Sequence, residues 1–345
     1  MKTLEDIARQ AGVSHSTVSR ALADSQLVNP QTKERIRLLA AEAGYQVNQV
    51  ARNLKSRSTQ TIGLVVPEVS NPYYPKLIQQ VADEAKEAGF SLQLHLSGRA
   101  QEAEIECVAS LRSHRADGIL IVTAEHGLVA RTHVNALAGA GTPVVLMGWV
   151  PDADHLDYVT GDDAKGGFDI AQHLLALGHR RISILGKPPH RGGYDRIVGF
   201  KWALSKAGIE ILGDENFFVR EERDVEEGVR RLLQAPTPPT AIFAYQDSIA
   251  VLVYKALAEV GISVPNDMTV VGFDDIDLAS YLSPRLTTVG THIQPLASAF
   301  VRLLVARIRG ELPEDSPQHV VITPRLIVRG SCAPPRQLDS SIGDN

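Results

Sequence analysis

Two sets of residues have the types and spacing for molecular recognition. The first lies near the start of the chain. His15, Ser16, Ser19 and Arg20 fall on one arc of a segment whose other side carries Val18, Ala21 and Leu22. At 100° per residue this arc is the outer face of a short helix. An arginine there can pair bidentately with guanine, and His15 and Ser16 can donate to or accept from base edges in a major groove. Thr32 and Lys33, with backbone amides at helix starts, suit phosphate oxygens. The second set stands directly after successive apolar runs: Asn71-Pro72-Tyr73-Tyr74, Trp149, Asp162, His190 to Arg196, Gln246-Asp247 and Asp274-Asp275. Fixed carboxylate acceptors and a planar guanidinium fork suit the vicinal hydroxyls of a polyol. Aromatic faces stack on the apolar side of a sugar ring.

Each residue also has a plainer role open to it. Asp162 or Asp274 can cap the following helix, Tyr73 can belong to a core or an interface, Trp149 can be a lid or interface aromatic, and Arg196 can pair structurally with a nearby Asp. The first set can be the solvated face of an ordinary three-helix packing motif.

The elements that must hold these side chains are legible from periodicity. Thr3 and Asp6 have capping-box spacing, and Leu4, Ile7, Ala8 and Ala11 form one apolar face, which predicts a helix over 3–11. Gly12 allows a sharp turn and Ser14 caps a second helix over about 15–22. Asn29 as N-cap with Pro30 at the first position starts a third, with Ile36, Leu39 and Ala40 inward and Gly44 as its stop. Two short helices about a glycine turn, with a polar Arg-bearing outer face, make a helix-turn-helix. From Thr61 onward strands alternate with helices. Strands are expected at Ile62–Val66, Gly118–Val122, Val144–Met147, Ile182–Leu185, Ala241–Ala244 and Thr269–Val271, with a half-exposed one through Leu92, Leu94 and Leu96. Helices are expected at Leu77–Ala88, Glu102–Ser113, Gly166–Leu177, Val198–Ala207 and Ile249–Val260, several followed by a C-capping glycine. The fold class is therefore α/β, a helical head followed by two doubly wound parallel-sheet lobes, with a lobe crossover near Thr160–Asp163. Ligands of such sheets sit beyond the carboxyl ends of the strands, where the second set stands.

Composition narrows the function class. The chain has 345 residues and a net charge of −5. Residues 1–58 hold nine Lys/Arg against five Asp/Glu, a net of +4, so the remainder carries −9. A basic head on an acidic body has the form of a separate nucleic-acid module. Two distant cysteines, Cys107 and Cys332, form no disulfide or zinc framework and fit a reducing cytoplasm. The start of the chain lacks a hydrophobic signal core, and no apolar run approaches a membrane span. No phosphate-cradling or dinucleotide glycine pattern, no His-Glu-x-x-His and no Gly-x-Ser-x-Gly is present, and the histidines lack metal-ligand spacing. His173 and His179 read as surface residues at a helix end. No enzyme chemistry, cofactor or metal is expected.

The string Thr3-Leu-Glu-Asp-Ile-Ala-Arg-Gln-Ala-Gly-Val-Ser-His-Ser-Thr-Val-Ser-Arg20 resembles the head of the lactose-repressor (LacI/GalR) family of bacterial transcription regulators. The likeness continues through Val28-Asn29, Gly44-Tyr45, Asn48 and Val50-Ala-Arg-Asn-Leu-Lys55. It implies a periplasmic-binding-protein-like body of two lobes joined by three crossovers, a homodimer on a pseudo-palindromic double-stranded DNA operator, and control by a small-molecule effector. It also implies DNA contacts from Thr3, Ser14, His15, Ser16, Ser19, Arg20, Asn29, Thr32, Tyr45, Asn48, Ala51, Leu54 and Lys55. Leu54 matches a hinge-helix leucine wedged into the minor groove, at a few kcal/mol of unstacking offset by contacts to the bent duplex. Effector contacts are implied at Tyr74, Arg196, Gln246 and Asp274, with Trp149 and Asp162 close by. Tyr73, His190, Arg191, Arg223, Asp247 and Thr291 complete the expected set.

The domains expected are a head over 1–47, a hinge over 48–58, an N-lobe over 59–160 plus 291–320, a C-lobe over 161–290 plus 321–332, and a flexible tail over 333–345. Departures from the family pattern are Val47 in place of Pro, Gln246 in place of Asn, Thr291-His292 in place of Gln-Pro, and Arg223 where some relatives place an aromatic. A neutral sugar is the preferred effector. A sugar acid or sugar phosphate becomes plausible if two of His190, Arg191 and Arg196 line the cleft.

Overall fold

The computed structural model describes residues 3–22, 24–45, 58–98, 100–123, 141–148, 155–186, 191–211, 222–290, 292–313 and 315–336. The chain divides into two compact units, Met1–Thr59 and Gln60–Asn345.

In the first unit, α1 (Leu4–Ala11), α2 (His15–Leu22) and α3 (Pro30–Glu42) close around Ile7, Val18, Ala21 and Ile36. The capping box forms: Asp6 N donates to Thr3 Oγ1 at 3.3 Å and Thr3 N donates to Asp6 Oδ2 at 2.9 Å. Gly12 takes φ 63°, a left-handed conformation that glycine adopts without penalty. Asn29 caps α3 through Gln31 N at 2.9 Å.

The second unit begins with a parallel sheet. Its strands are β1 (Thr61–Val66), β2 (Ser91–Leu96), β3 (Gly118–Val122), β4 (Val144–Met147), β5 (Asp157–Gly161) and β10 (His319–Ile322), in the order β10-β5-β4-β3-β1-β2. Helices α4 (Tyr73–Glu87), α5 (Gln101–Ser113) and α11 (Ile293–Ile308) cover it. The central strands β3 and β4 are buried along their whole length, as two-sided coverage of a parallel sheet requires, whereas edge strand β2 is at most half-buried and leaves Leu94 and Leu96 exposed.

The other lobe has strands β6 (Ile182–Leu185), β7 (Ala241–Ala244) and β8 (Thr269–Val271) in one parallel sheet. β9 (Thr288–Gly290) and β11 (Arg325–Ile327) pair antiparallel beside it. Its helices are α6 (Asp163–Ala176), α7 (Arg191–Lys206), α8 (Glu222–Leu233), α9 (Asp247–Glu259) and the short α10 (Asp277–Tyr281). The chain thus crosses between lobes after β5, after β9 and after β10.

Three sequence expectations do not hold. The first sheet keeps the chain through Ile322, two residues beyond the expected boundary of 320, because β10 pairs with β5 from His319↔Tyr158 to Ile322↔Gly161. Residues 333–336 are not free tail. The Ala333 carbonyl accepts from His179 Nε2 at 2.9 Å and from Thr269 Oγ1 at 3.1 Å, and Arg336 pairs with Asp267. His179 is accordingly no surface residue. It is buried at 1% exposure and bridges Thr240 Oγ1 and Ala333, which a helix-end reading of its position missed.

Candidate functional site

The strand ends of the second sheet converge on Arg196. Helix α7 carries it, and the α6–α7 crossing sets its height. A Cβ on Gly167 would overlap the Arg196 carbonyl oxygen, and one on Gly199 would overlap the Ala164 carbonyl oxygen. The two backbones therefore touch, which only glycine permits. This places the guanidinium over the start of α6 and the end of β8. Nε donates to Asp163 Oδ2 at 3.0 Å, Nη1 pairs with Asp274 Oδ1 at 2.9 Å, and Nη1 also donates to the Tyr245 carbonyl at 3.2 Å. The Phe273 ring lies under the guanidinium, its centroid 3.8 Å from Cζ. Arg196 is 8% exposed.

Charges buried this deeply perturb one another. Burial works against the Arg196 cation, but Asp163 and Asp274 outweigh it and raise its pKa. Burial pushes Asp274 up to about 6, against the pull of Arg196 and with a further push from Asp163. Asp163 is raised by burial as well, again against the pull of Arg196. Asp274 and Asp275 have φ of 111° and 52°, conformations that cost a non-glycine residue about 1–3 kcal/mol and gather at functional turns.

From the other lobe, α4 presents Tyr73 and Tyr74 at its first turn, edge to face with ring centroids 5.6 Å apart. Asn71 Oδ1 accepts from Tyr73 N at 3.0 Å and fixes the turn. Tyr73 adds to the electrostatic field that raises the Arg196 pKa, and the direct contact between the lobes is made one turn further along α4, where Lys76 Nζ donates to Asp277 Oδ1 at 2.8 Å.

The expected site residues divide clearly. Arg196 and Asp274 come together, Tyr73 is within electrostatic reach of Arg196, and Gln246 follows Tyr245, whose carbonyl Arg196 engages. Asp162 caps α6 through Lys165 N at 2.9 Å, so one of its oxygens takes the plainer role. Asp247 is corrected from ligand contact to internal support. It is fully buried, and its carboxylate accepts from Thr288 Oγ1 at 2.6 Å and from Ile276 N at 3.0 Å. Burial, with Asp274 adding to it, raises its pKa well above the ordinary carboxylate value. Arg223 is exposed at the start of α8. Trp149, His190, Thr291 and the Arg191 side chain lie outside the described residues.

Asp163 was missed, although it adjoins Asp162. Since a helix N-cap spends its carboxylate on the backbone, the next acidic residue along is the one left to face inward. Phe273 reads as core from its apolar run, and its cation–π contact has no linear signature. Arg329, which pairs with Asp275 at 2.6 Å, comes from a segment fifty-four positions away.

In the head, His15, Ser16, Ser19 and Arg20 are all exposed on one side of α2, opposite buried Val18 and Ala21. Ser14 caps α2 through Thr17 N at 3.1 Å and holds Ser16 Oγ at 2.8 Å. Thr3 and Asn29 are exposed caps, Thr32 is half-buried, and Tyr45 packs on the head core. Lys33, expected to face phosphate, donates to Asp24 at 3.0 Å beside Arg37. The Lys33 hydrogen bond, with the nearby charges, lowers the Asp24 pKa. Asn48, Ala51, Leu54 and Lys55 lie outside the described residues. Among the described residues no group of three potential metal ligands is present and no helix is long and apolar enough to cross a membrane.

Comparison with known proteins matches residues 3–48 to the pattern described as bacterial regulatory proteins, lacI family, and residues 171–332 to a periplasmic binding protein-like domain. The chain is 31% identical over 335 residues to the HTH-type transcriptional regulator DegA of Bacillus subtilis (strain 168), covering 96% of this chain and 98% of that one. It is 32% identical over 341 residues to the ribose operon repressor of Escherichia coli (strain K12), covering 96% and 100%. A similar solved structure is a LacI family transcriptional regulator from Enterococcus faecium with bound ribose, at 29% identity and TM-score 0.69, covering 80% of this chain and 100% of that one.

Proposed function

The chain belongs to the LacI family of bacterial regulatory proteins, and from that premise we propose how it works: a homodimer represses transcription from a pseudo-palindromic operator, gated by a neutral sugar. It is a DNA-binding transcriptional regulator, not an enzyme. The observation that carries the effector class is the saturation of Arg196. Asp163 and Asp274 already neutralise it at 3.0 Å and 2.9 Å, leaving a carboxylate-rich site. Such a site accepts hydrogen bonds from hydroxyls and repels an anion, so a neutral polyol is favoured over a sugar acid or sugar phosphate. The ribose operon repressor and the ribose-bound relative make D-ribose the first compound to test.

A thermal-shift panel of neutral sugars, sugar acids, sugar phosphates and nucleobases tests this reading. Stabilisation by a neutral sugar alone is expected. Its affinity should be level from pH 8 to 6.5 and fall below about 6, because protonating Asp274 removes a hydroxyl acceptor. Response only to an anion or a nucleobase overturns the effector class.

Effector-site residues in this reading are Tyr73, Tyr74, Trp149, Asp162, Arg196, Gln246 and Asp274. On the DNA side, α2 enters the major groove and residues 48–58 act as the hinge, with Leu54 as the minor-groove wedge. Each head reads one half-site. Arg20→Ala is expected to cost about 1–3 kcal/mol at one base pair per half-site, read by binding to an operator library. A uniform loss across all sequences would make Arg20 a phosphate contact instead.

A further inference from the structure

The turn that carries Asp274 reaches four separate elements with four consecutive residues. Asp274 pairs with Arg196 on α7 at 2.9 Å. Asp275 pairs with Arg329, which follows the third crossover, at 2.6 Å. Ile276 N donates to Asp247 at the start of α9 at 3.0 Å, and that same carboxylate holds Thr288 on β9, the strand that leads into the second crossover. Asp277, the first residue of α10, leaves this lobe altogether and accepts from Lys76 Nζ on α4 at 2.8 Å.

Lys76 lies three residues beyond Tyr73 on the same helix, so the element that offers an aromatic to the cleft also offers a cation to the opposite lobe. Asp275 and Ile276 are tied within their own lobe, which makes residues 274–277 one braced body. A shift at Asp274 therefore moves Asp277 with it. The two left-handed aspartates make the turn a conformation held by its partners and free to relax if they change.

We propose that the Lys76–Asp277 ion pair is the cross-lobe output of this turn: it couples the state of the effector site to the closure of the lobes, with Lys76 a positioning residue outside the site itself. This rests on the effector-gated reading given above. The pair is partly exposed, with side chains 44% and 70% accessible, so its strength is that of a surface pair. That amounts to about two- to fivefold in an equilibrium, enough to bias two lobe arrangements that lie close in free energy.

The test uses the full chain and the variants Lys76→Glu, Asp277→Lys and both together. Lobe-to-lobe distance distributions come from electron paramagnetic resonance with one spin label per lobe, and affinity from D-ribose titration. Each single reversal should lengthen and broaden the distances in the ligand-free protein and weaken D-ribose binding about two- to fivefold. The double reversal should restore both. Unchanged distances in the single variants, or a double variant that does not recover, overturn the proposal. A distance response without any affinity response, in a protein that binds D-ribose, overturns the coupling. If the unmodified protein does not bind D-ribose, that choice of effector fails by itself, and the distances in the single and double variants still decide the ion pair.

Discussion

Arg196→Ala should destabilise the second lobe by about 3–5 kcal/mol at pH 7 and abolish effector binding. The magnitude follows from what is left behind. Removing one member of a buried ion cluster strands its partners without compensation, and here the partners are Asp163 and Asp274, both shielded from solvent. The Tyr245 carbonyl loses a donor and the Phe273 ring loses its cation at the same time. The loss should shrink on acidification. Asp274 already has a folded-state pKa of about 6, above its ordinary value, and Asp163 is raised too. A carboxyl whose pKa is higher folded than unfolded binds more protons in the folded state, so its contribution to stability grows as pH falls through the folded value. Without the cation both pKa values rise further, so urea midpoints at pH 5 should recover part of the loss seen at pH 7. Arg196→Lys should retain more stability than the alanine variant, since the charge is kept, but lose effector affinity, since one ammonium cannot span two carboxylates as a planar fork does. Equal stability of the alanine variant and the unmodified protein at pH 7 would contradict this picture.

Gly199→Ala is the second large effect. In an exposed helix, glycine to alanine adds up to about 1 kcal/mol of stability. Here the sign should reverse, with a loss of about 3 kcal/mol. The added Cβ meets the Ala164 carbonyl oxygen, and backbone cannot swing aside as a side chain can. Helices α6 and α7 must separate, which lifts Arg196 away from Asp163. Effector affinity should fall together with the urea midpoint, whereas a stabilised variant would mean that the helices do not cross this closely.

What the sequence discloses follows from locality. The head is nearly all visible because caps, glycine turns and apolar stripes act within a few residues: Thr3 finds Asp6 and Asn29 finds Gln31. Buried strands such as Gly118–Val122 are visible because two-sided burial leaves a continuous apolar run. β5, β9, β10 and β11 were not foreseen, because polar residues or glycine break up their few apolar positions and their pairing partners lie far along the chain. In the site, Arg196 and Asp274 stood out as charges at strand ends. What they bind depends on contacts across many residues: Arg196 reaches Asp163 thirty-three positions away, and Asp247 reaches Thr288 forty-one away. Asp247 was misread because a carboxylate after a strand looks the same in sequence whether it faces a cleft or a buried threonine.

The crossovers bear on the order in which the protein can be built. The head closes its core with residues 4–45, so it needs nothing from the rest of the chain to be complete. Neither lobe has that independence. The first sheet waits for α11 and for β10, ending at Ile322, and the second for Ser331, whose Oγ donates to the Val270 carbonyl, and Ala333, which bonds the Thr269 hydroxyl. Such long-range closure is slow to form and leaves apolar strands uncovered until late. A chain halted midway would therefore present a folded DNA-reading head attached to lobes that cannot close, a species able to touch DNA but deaf to its effector.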